Sequence, residues 1–137
     1  MSRVKGKSDA EMAKAVGPQM IVPISPAVVA GDMVFATCIP VDLQSGAFVS
    51  GPIERQARQV FENLRTLLRE AGGGLEHVAH LTIHLVDSKD LPGLNAVYKE
   101  FFTREPFPAR ATVIVRELVG PPDLRIQTTA HAYLKDD

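Results

Sequence analysis

Apolar positions between residues 53 and 68 recur with a helical period. Ile53, Ala57, Val60, Phe61, Leu64, Leu67 and Leu68 fall at offsets of 0, 4, 7, 8, 11, 14 and 15, which aligns them on one face of an α-helix. Pro52 suits the first turn, and Gly72-Gly73-Gly74 ends the helix because glycine tolerates the left-handed conformation. Glu54 and Arg58 have the spacing of an i,i+4 ion pair on the wet face. From His77 to Val86 the period changes to two: Ala79, Leu81, Ile83 and Leu85 take one side, Val78, His80, Thr82 and His84 the other. That pattern predicts a strand with one apolar and one mixed face.

A second helix is expected from about Leu91 to Phe102, with Leu91, Leu94, Tyr98, Phe101 and Phe102 inward, Ser88 or Asp90 as cap and Pro92 in the first turn. Upstream, Gln19 to Ile24 and Ala27 to Ala30 are β-type runs separated by Ser25-Pro26. Gly31-Asp32 turns the chain into a further strand, Met33 to Thr37, and Asp42 to Gly46 is a turn-rich loop. Two strands close the chain, Ala111 to Val115 and Leu124 to Tyr133, joined by the Gly120-Pro121-Pro122-Asp123 turn. Residues 1–17 are a polar N-terminal arm. Ser8 and Glu11 have capping-box spacing, so this arm is either a short helix before Gly17-Pro18 or disordered. Residues 18–137 form the domain. The order β-β-β-α-β-α-β-β predicts a two-layer α+β fold, a mixed β-sheet with two helices packed on one face. The other face would stay wet in a monomer, which predicts oligomerisation through it.

Composition narrows the function. A chain of 137 residues buries roughly 68% of its unfolded surface, enough for a core without metal or disulfide staples. The net charge is −1, with acidic and basic residues interspersed, as in Glu54-Arg55-Gln56-Ala57-Arg58. No basic stripe is present to release phosphate counterions, so no nucleic-acid partner is expected. Cys38 is the single cysteine, which fits a reducing compartment. The N-terminal residues lead into polar sequence rather than an apolar signal region, and no run reaches the roughly 18–20 apolar residues of a membrane helix. A cytoplasmic protein with no membrane partner is the expectation.

Several stretches together resemble the RidA (YjgF) family of enamine/imine deaminases, also described as endoribonuclease L-PSP. They are Ala30-Gly31-Asp32-Met33-Val34-Phe35, Ile39-Pro40-Val41-Asp42 with Gly46, Gln56-Ala57-Arg58-Gln59 with Asn63-Leu64, Asn95-Ala96-Val97-Tyr98 with Phe101-Phe102, and Phe107-Pro108-Ala109-Arg110. The resemblance covers about residues 18–133. It implies a chorismate-mutase-like (YjgF-like) fold and a homotrimer with ligand pockets at the subunit interfaces. It also implies hydrolysis of reactive enamines or imines of 2-amino acids, such as 2-iminopropanoate, to 2-keto acids and ammonia, with no cofactor.

The resemblance directs attention to particular residues. Arg110, in the Pro-Ala-Arg element, is the expected anchor for the substrate carboxylate, because a planar guanidinium matches a carboxylate with two parallel hydrogen bonds. Thr112, Asn95, Thr37 and Cys38 are the other expected binding residues, although Cys38 also reads as a small buried side chain. Thr112 stands where the family often has cysteine, and Ile24 stands where a tyrosine is common. In relatives that hydrolyse imines a glutamate on the last strand positions the attacking water; here that position is Gln127, the expected catalytic residue. A glutamine carbonyl accepts a hydrogen bond from water but takes no proton. The alternative is therefore a non-catalytic member that binds small carboxylates. A ribonuclease, an activity ascribed to some relatives, is disfavoured by near-neutral charge and by eight aromatic residues with no tryptophan. No metal site is expected: His80 and His84 share a strand face but lie about 13 Å apart along it, too far for one ion, which leaves proton donation at an interface as their functional option.

Overall fold

The computed structural model of the chain describes residues 2, 3 and 22–135. Among the described residues six strands form one mixed sheet: β1 (Ser2–Arg3), β2 (Ala27–Ala30), β3 (Met33–Cys38), β4 (Val78–Leu85), β5 (Ala109–Ile114) and β6 (Ile126–Tyr133). Their spatial order is β1-β2-β3-β6-β4-β5. The β4–β5 pair is parallel and the other pairs are antiparallel. Two helices, α1 (Ile53–Glu70) and α2 (Leu91–Phe101), complete the two-layer α+β fold expected from the sequence. The short helix anticipated before Gly17 lies outside the described residues, as do Gln19 to Ile21; Val22 to Ile24 are described and are not a strand.

The period-3.6 face of α1 is the centre of the core. All seven of its periodic apolar residues are buried, each Leu, Ile, Val or Phe contributing roughly 1.5–3 kcal/mol. They meet Leu81, Ile83 and Leu85 of β4, Ile126, Ala130 and Ala132 of β6, Val34, Ala36 and Cys38 of β3, and Leu94 and Val97 of α2. Gly72 ends α1 at φ +95°, and the Gly73 N–H returns to the Leu68 carbonyl at 2.8 Å. Gly31 takes φ +62° in the β2–β3 turn. Among the described residues no helix is long and apolar enough to cross a membrane.

Four local expectations are corrected. Arg58 pairs with Glu100 of α2 at 2.8 Å rather than with Glu54; both side chains are about half exposed, so the bridge contributes under about 1 kcal/mol. Asp90 makes no capping bond. Its carboxylate instead meets Arg125 at 3.3 Å, and a 3-10 turn over Ser88–Asp90, capped by Asp87 through the Lys89 N–H, precedes α2. An irregularity in pairing between Val78 and His80 breaks the period-two alternation of β4. As a result Val78 is buried in the core while Ala79 is exposed. The last strand starts at Ile126 rather than Leu124, because buried Gln56 holds the preceding segment: its amide donates to the Asp123 carbonyl at 2.7 Å and accepts from the Arg125 N–H at 2.9 Å.

Strand register assigns every side chain to a face. Leu81, Ile83 and Leu85 pair with Ala130, Thr128 and Ile126, so these face the helices. Phe35, Thr37, His80, Thr82, His84, Gln127, Thr129, His131, Tyr133 and Val113 occupy the opposite, open face. Phe35, Val113 and Tyr133 are 42%, 40% and 45% exposed there, and Phe35 meets the His131 ring edge-on at 5.1 Å.

Candidate functional site

The β4–β5 register pairs Leu81 with Arg110 and Ile83 with Thr112, so both β5 side chains lie on the helix side of the sheet. Because β5 is the edge strand, they sit at the rim of the core rather than within it. Asn95 and Tyr98, three residues apart on α2, share the helix face that meets this rim.

There the Arg110 guanidinium is held from three directions. Its Nε donates to Thr112 Oγ1 at 2.8 Å and its Nη2 donates to Asn95 Oδ1 at 2.7 Å. Its Cζ lies 4.6 Å from the centre of the Tyr98 ring, a cation–π stack. Both hydrogen-bond acceptors are neutral, and among the described residues no carboxylate pairs with Arg110. Among the described residues its charge is therefore uncompensated. Partial burial lowers the Arg110 pKa, opposed by Tyr98, and an arginine stays charged regardless. Burial likewise raises the Tyr98 pKa, with Arg110 acting against the rise, so the phenol is neutral at ordinary pH.

A cavity of about 460 Å³ opens beside this group, lined by Asn95, Tyr98, Lys99, Phe102, Phe107 and Arg110. Its size suits a small metabolite. Its lining combines two cations, Lys99 and Arg110, with three aromatic side chains, which favours an anion carrying an apolar body. A second cleft of about 300 Å³, between the ends of α1 and α2, includes Arg65, Arg69, Arg104 and Glu76 in its lining. Arg69 and Arg104 are exposed and form no hydrogen bond among the described residues, while Arg65 lies over the Phe101 ring at 4.8 Å and is paired with Glu62 at 3.5 Å, so the one held cation of that cleft already has a carboxylate partner.

Arg110, Thr112 and Asn95 are thus brought together. The other three expected residues are elsewhere. Thr37 faces the open side of the sheet opposite Thr129, and Gln127 does so opposite His84. Cys38 is in the core at 3% exposure, where burial pushes its thiol up to about 12; within the chain it is a packing residue with no access to the cavity. Helical periodicity places Tyr98 inward with Leu91, Leu94, Phe101 and Phe102, and the structure puts it half-buried at the rim. Its ring does stack on Phe102 at 4.4 Å, but its other role is as the platform for Arg110. The Asn95-x-x-Tyr98 spacing was the available signal, since it puts both on one helical face. His80 and His131 have ring centres 6.0 Å apart on the open face, and among the described residues no group of three or more His, Cys, Asp or Glu side chains is arranged to hold a metal.

Comparison with known proteins is consistent across sequence and fold. Residues 14–133 match the Endoribonuclease L-PSP family. A RutC family protein from Pyrococcus abyssi is 40% identical over 117 residues, covering 85% of this chain and 90% of that protein. A 2-iminobutanoate/2-iminopropanoate deaminase from Dermatophagoides farinae is 36% identical over 113 residues, 82% of this chain and 86% of that protein. The crystal structure of RidA from a Psychrobacter species superposes with a TM-score of 0.75 at 31% identity, covering 93% of this chain and 97% of that one.

Proposed function

Since this chain belongs to the Endoribonuclease L-PSP (RidA/YjgF) family, we propose that it is a deaminase that hydrolyses 2-imino acids to 2-keto acids and ammonia. The observation that carries this reading is the uncompensated, fixed guanidinium of Arg110 facing a cavity of metabolite size. In the reaction Arg110 holds the substrate carboxylate. Water adds its oxygen to the C=N carbon and a proton to the nitrogen, and the resulting carbinolamine then gives its hydroxyl proton to the nitrogen as the C–N bond breaks, releasing ammonia and leaving the 2-keto acid. The deaminase from Dermatophagoides farinae supports the substrate class.

Gln127 enters this scheme only from a neighbouring chain. In one protomer the sheet lies between Gln127 and the cavity, and the open face carries exposed Phe35, Val113 and Tyr133, which favour burial against another copy. A homotrimer with pockets at its interfaces accounts for both facts. There the Gln127 carbonyl orients the water by accepting a hydrogen bond from it. The single, buried Cys38 is compatible with a reducing cytoplasm.

A second reading is favoured by Gln127 itself. An amide takes no proton from water, and among the described residues lining the cavity no carboxylate or imidazole stands in for it. On that reading the chain binds small carboxylates without turning them over. Ammonia release from freshly generated 2-iminopropanoate separates the two. The deaminase reading expects release faster than spontaneous decay and its loss in Arg110→Ala; decay at the uncatalysed rate with intact pyruvate binding would establish the binder.

A further inference from the structure

We propose that Tyr98, Asn95 and Thr112 are positioning residues that together form a preformed seat for a guanidinium ion and leave Nη1 of Arg110 as the ligand-facing atom. The inference rests on the reading that Arg110 binds a carboxylate, and it says how that is achieved.

A free arginine side chain samples many rotamers and surrenders them on binding. Here three contacts remove that freedom beforehand. The Tyr98 ring lies beneath the guanidinium, 4.6 Å from its Cζ, and Thr112 and Asn95 hold its Nε and Nη2. The platform is itself anchored: Tyr98 stacks on Phe102 at 4.4 Å and meets the fully buried Phe61 edge-on at 5.9 Å. The seat is thus continuous with the core, although the cation stands at its rim.

The hydrogen-bond inventory points the group outward. A guanidinium has five N–H donors, and Thr112 and Asn95 use one each, on Nε and Nη2. Both hydrogens of Nη1 and one of Nη2 remain. The two partners have turned their acceptor oxygens toward Arg110, and each keeps a donor, the Thr112 hydroxyl hydrogen and the Asn95 amide N–H. Of these groups Arg110 and Asn95 line the cavity, so the donors it offers are theirs, and it selects a ligand rich in acceptors. Neutral acceptors matter as much as their geometry, because a carboxylate at position 95 or 112 would hold the arginine equally well and cancel its charge.

The test is calorimetric titration of pyruvate into the full-length protein and its variants, with thermal unfolding of each. Tyr98→Phe keeps the ring and is expected to bind within about twofold of wild type, whereas Tyr98→Leu loses the platform and should bind about tenfold more weakly. Because Tyr98 also touches the core, Thr112→Val on the edge strand provides an independent arm, and it too should weaken binding by about fivefold or more. The signature that a merely structural role would not give is chemical rescue. Arg110→Ala should regain pyruvate binding on addition of millimolar guanidinium, should keep that rescue when combined with Tyr98→Phe, and should lose it when combined with Tyr98→Leu or Thr112→Val. Wild-type affinity in both Tyr98→Leu and Thr112→Val, or rescue indifferent to position 98 and position 112, overturns the proposal while leaving the carboxylate site in place. Absence of pyruvate binding by the wild type overturns the carboxylate site itself, and the seat with it.

Discussion

Arg110 and Gln127 stand on opposite faces of one sheet, Arg110 toward the helices from β5 and Gln127 toward the open side from β6, with β4 between their strands. One protomer therefore cannot bring the proposed carboxylate anchor and the proposed water-orienting amide to the same substrate. Restoring a proton acceptor at the amide position isolates its role. Gln127→Glu should raise the rate of 2-iminopropanoate hydrolysis by about 10²–10⁴ while leaving pyruvate affinity near wild type, because a general base contributes that much and the anchor is untouched. An unchanged rate would remove position 127 from the chemistry.

The proposed assembly has its own test on the open face. A charge placed among Phe35, His131 and Tyr133 would be buried and unpaired in the proposed oligomer, whereas in an isolated chain it stays in water. Phe35→Glu is expected to sediment as a 14.9 kDa protomer that has lost hydrolysis, against a wild type three times heavier. A wild type that sediments as the protomer at micromolar concentration contradicts the interface.

Cys38 gives a stability signature at alkaline pH. Burial raises its pKa from 9.0 to about 12, so the folded state keeps the proton that the unfolded chain loses. A group with a raised folded pKa contributes its stability below the unfolded value and loses it as pH climbs through the folded one. Unfolding free energy should therefore fall between pH 9 and 12, by about 4 kcal/mol over the three units from this thiol. Cys38→Ala should flatten that part of the urea-unfolding profile. A profile equally steep in the variant would assign the loss to other groups.

Gln56 is a structural residue of the motif it belongs to. It is fully buried, and its amide bridges the Asp123 carbonyl and the Arg125 N–H. Gln56→Leu keeps the volume but orphans both groups, which predicts a loss of about 2–4 kcal/mol in urea unfolding. Asn63 does the same for the Ile39 and Val41 carbonyls at 3.1 and 2.8 Å. A midpoint unmoved by Gln56→Leu would mean that water replaces the clamp.

How legible all this was from the chain depends on what kind of interaction set each feature. The α1 face and the element order follow from local periodicity, which burial then enforces, so they were readable. The exchange of Val78 for Ala79 was not, because a single irregular pair inverts a period-two pattern without any change in residue type. Asp90 and Arg58 chose partners 35 and 42 residues away over local ones, which spacing rules cannot foresee. At the site, the motif located Arg110, Asn95 and Thr112, but the sides of the sheet taken by Thr37 and Gln127 depend on β3–β6–β4 register. Tyr98 looked like core because helical periodicity does not separate a buried face from its rim.

The most direct measurement is the affinity of pyruvate for wild type and for Arg110→Ala, determined by calorimetry at neutral pH. A charge-assisted contact made by a fixed guanidinium predicts measurable binding by the wild type and a loss of roughly 10- to 100-fold in the variant. Equal affinities in the two proteins would contradict the role assigned here to Arg110.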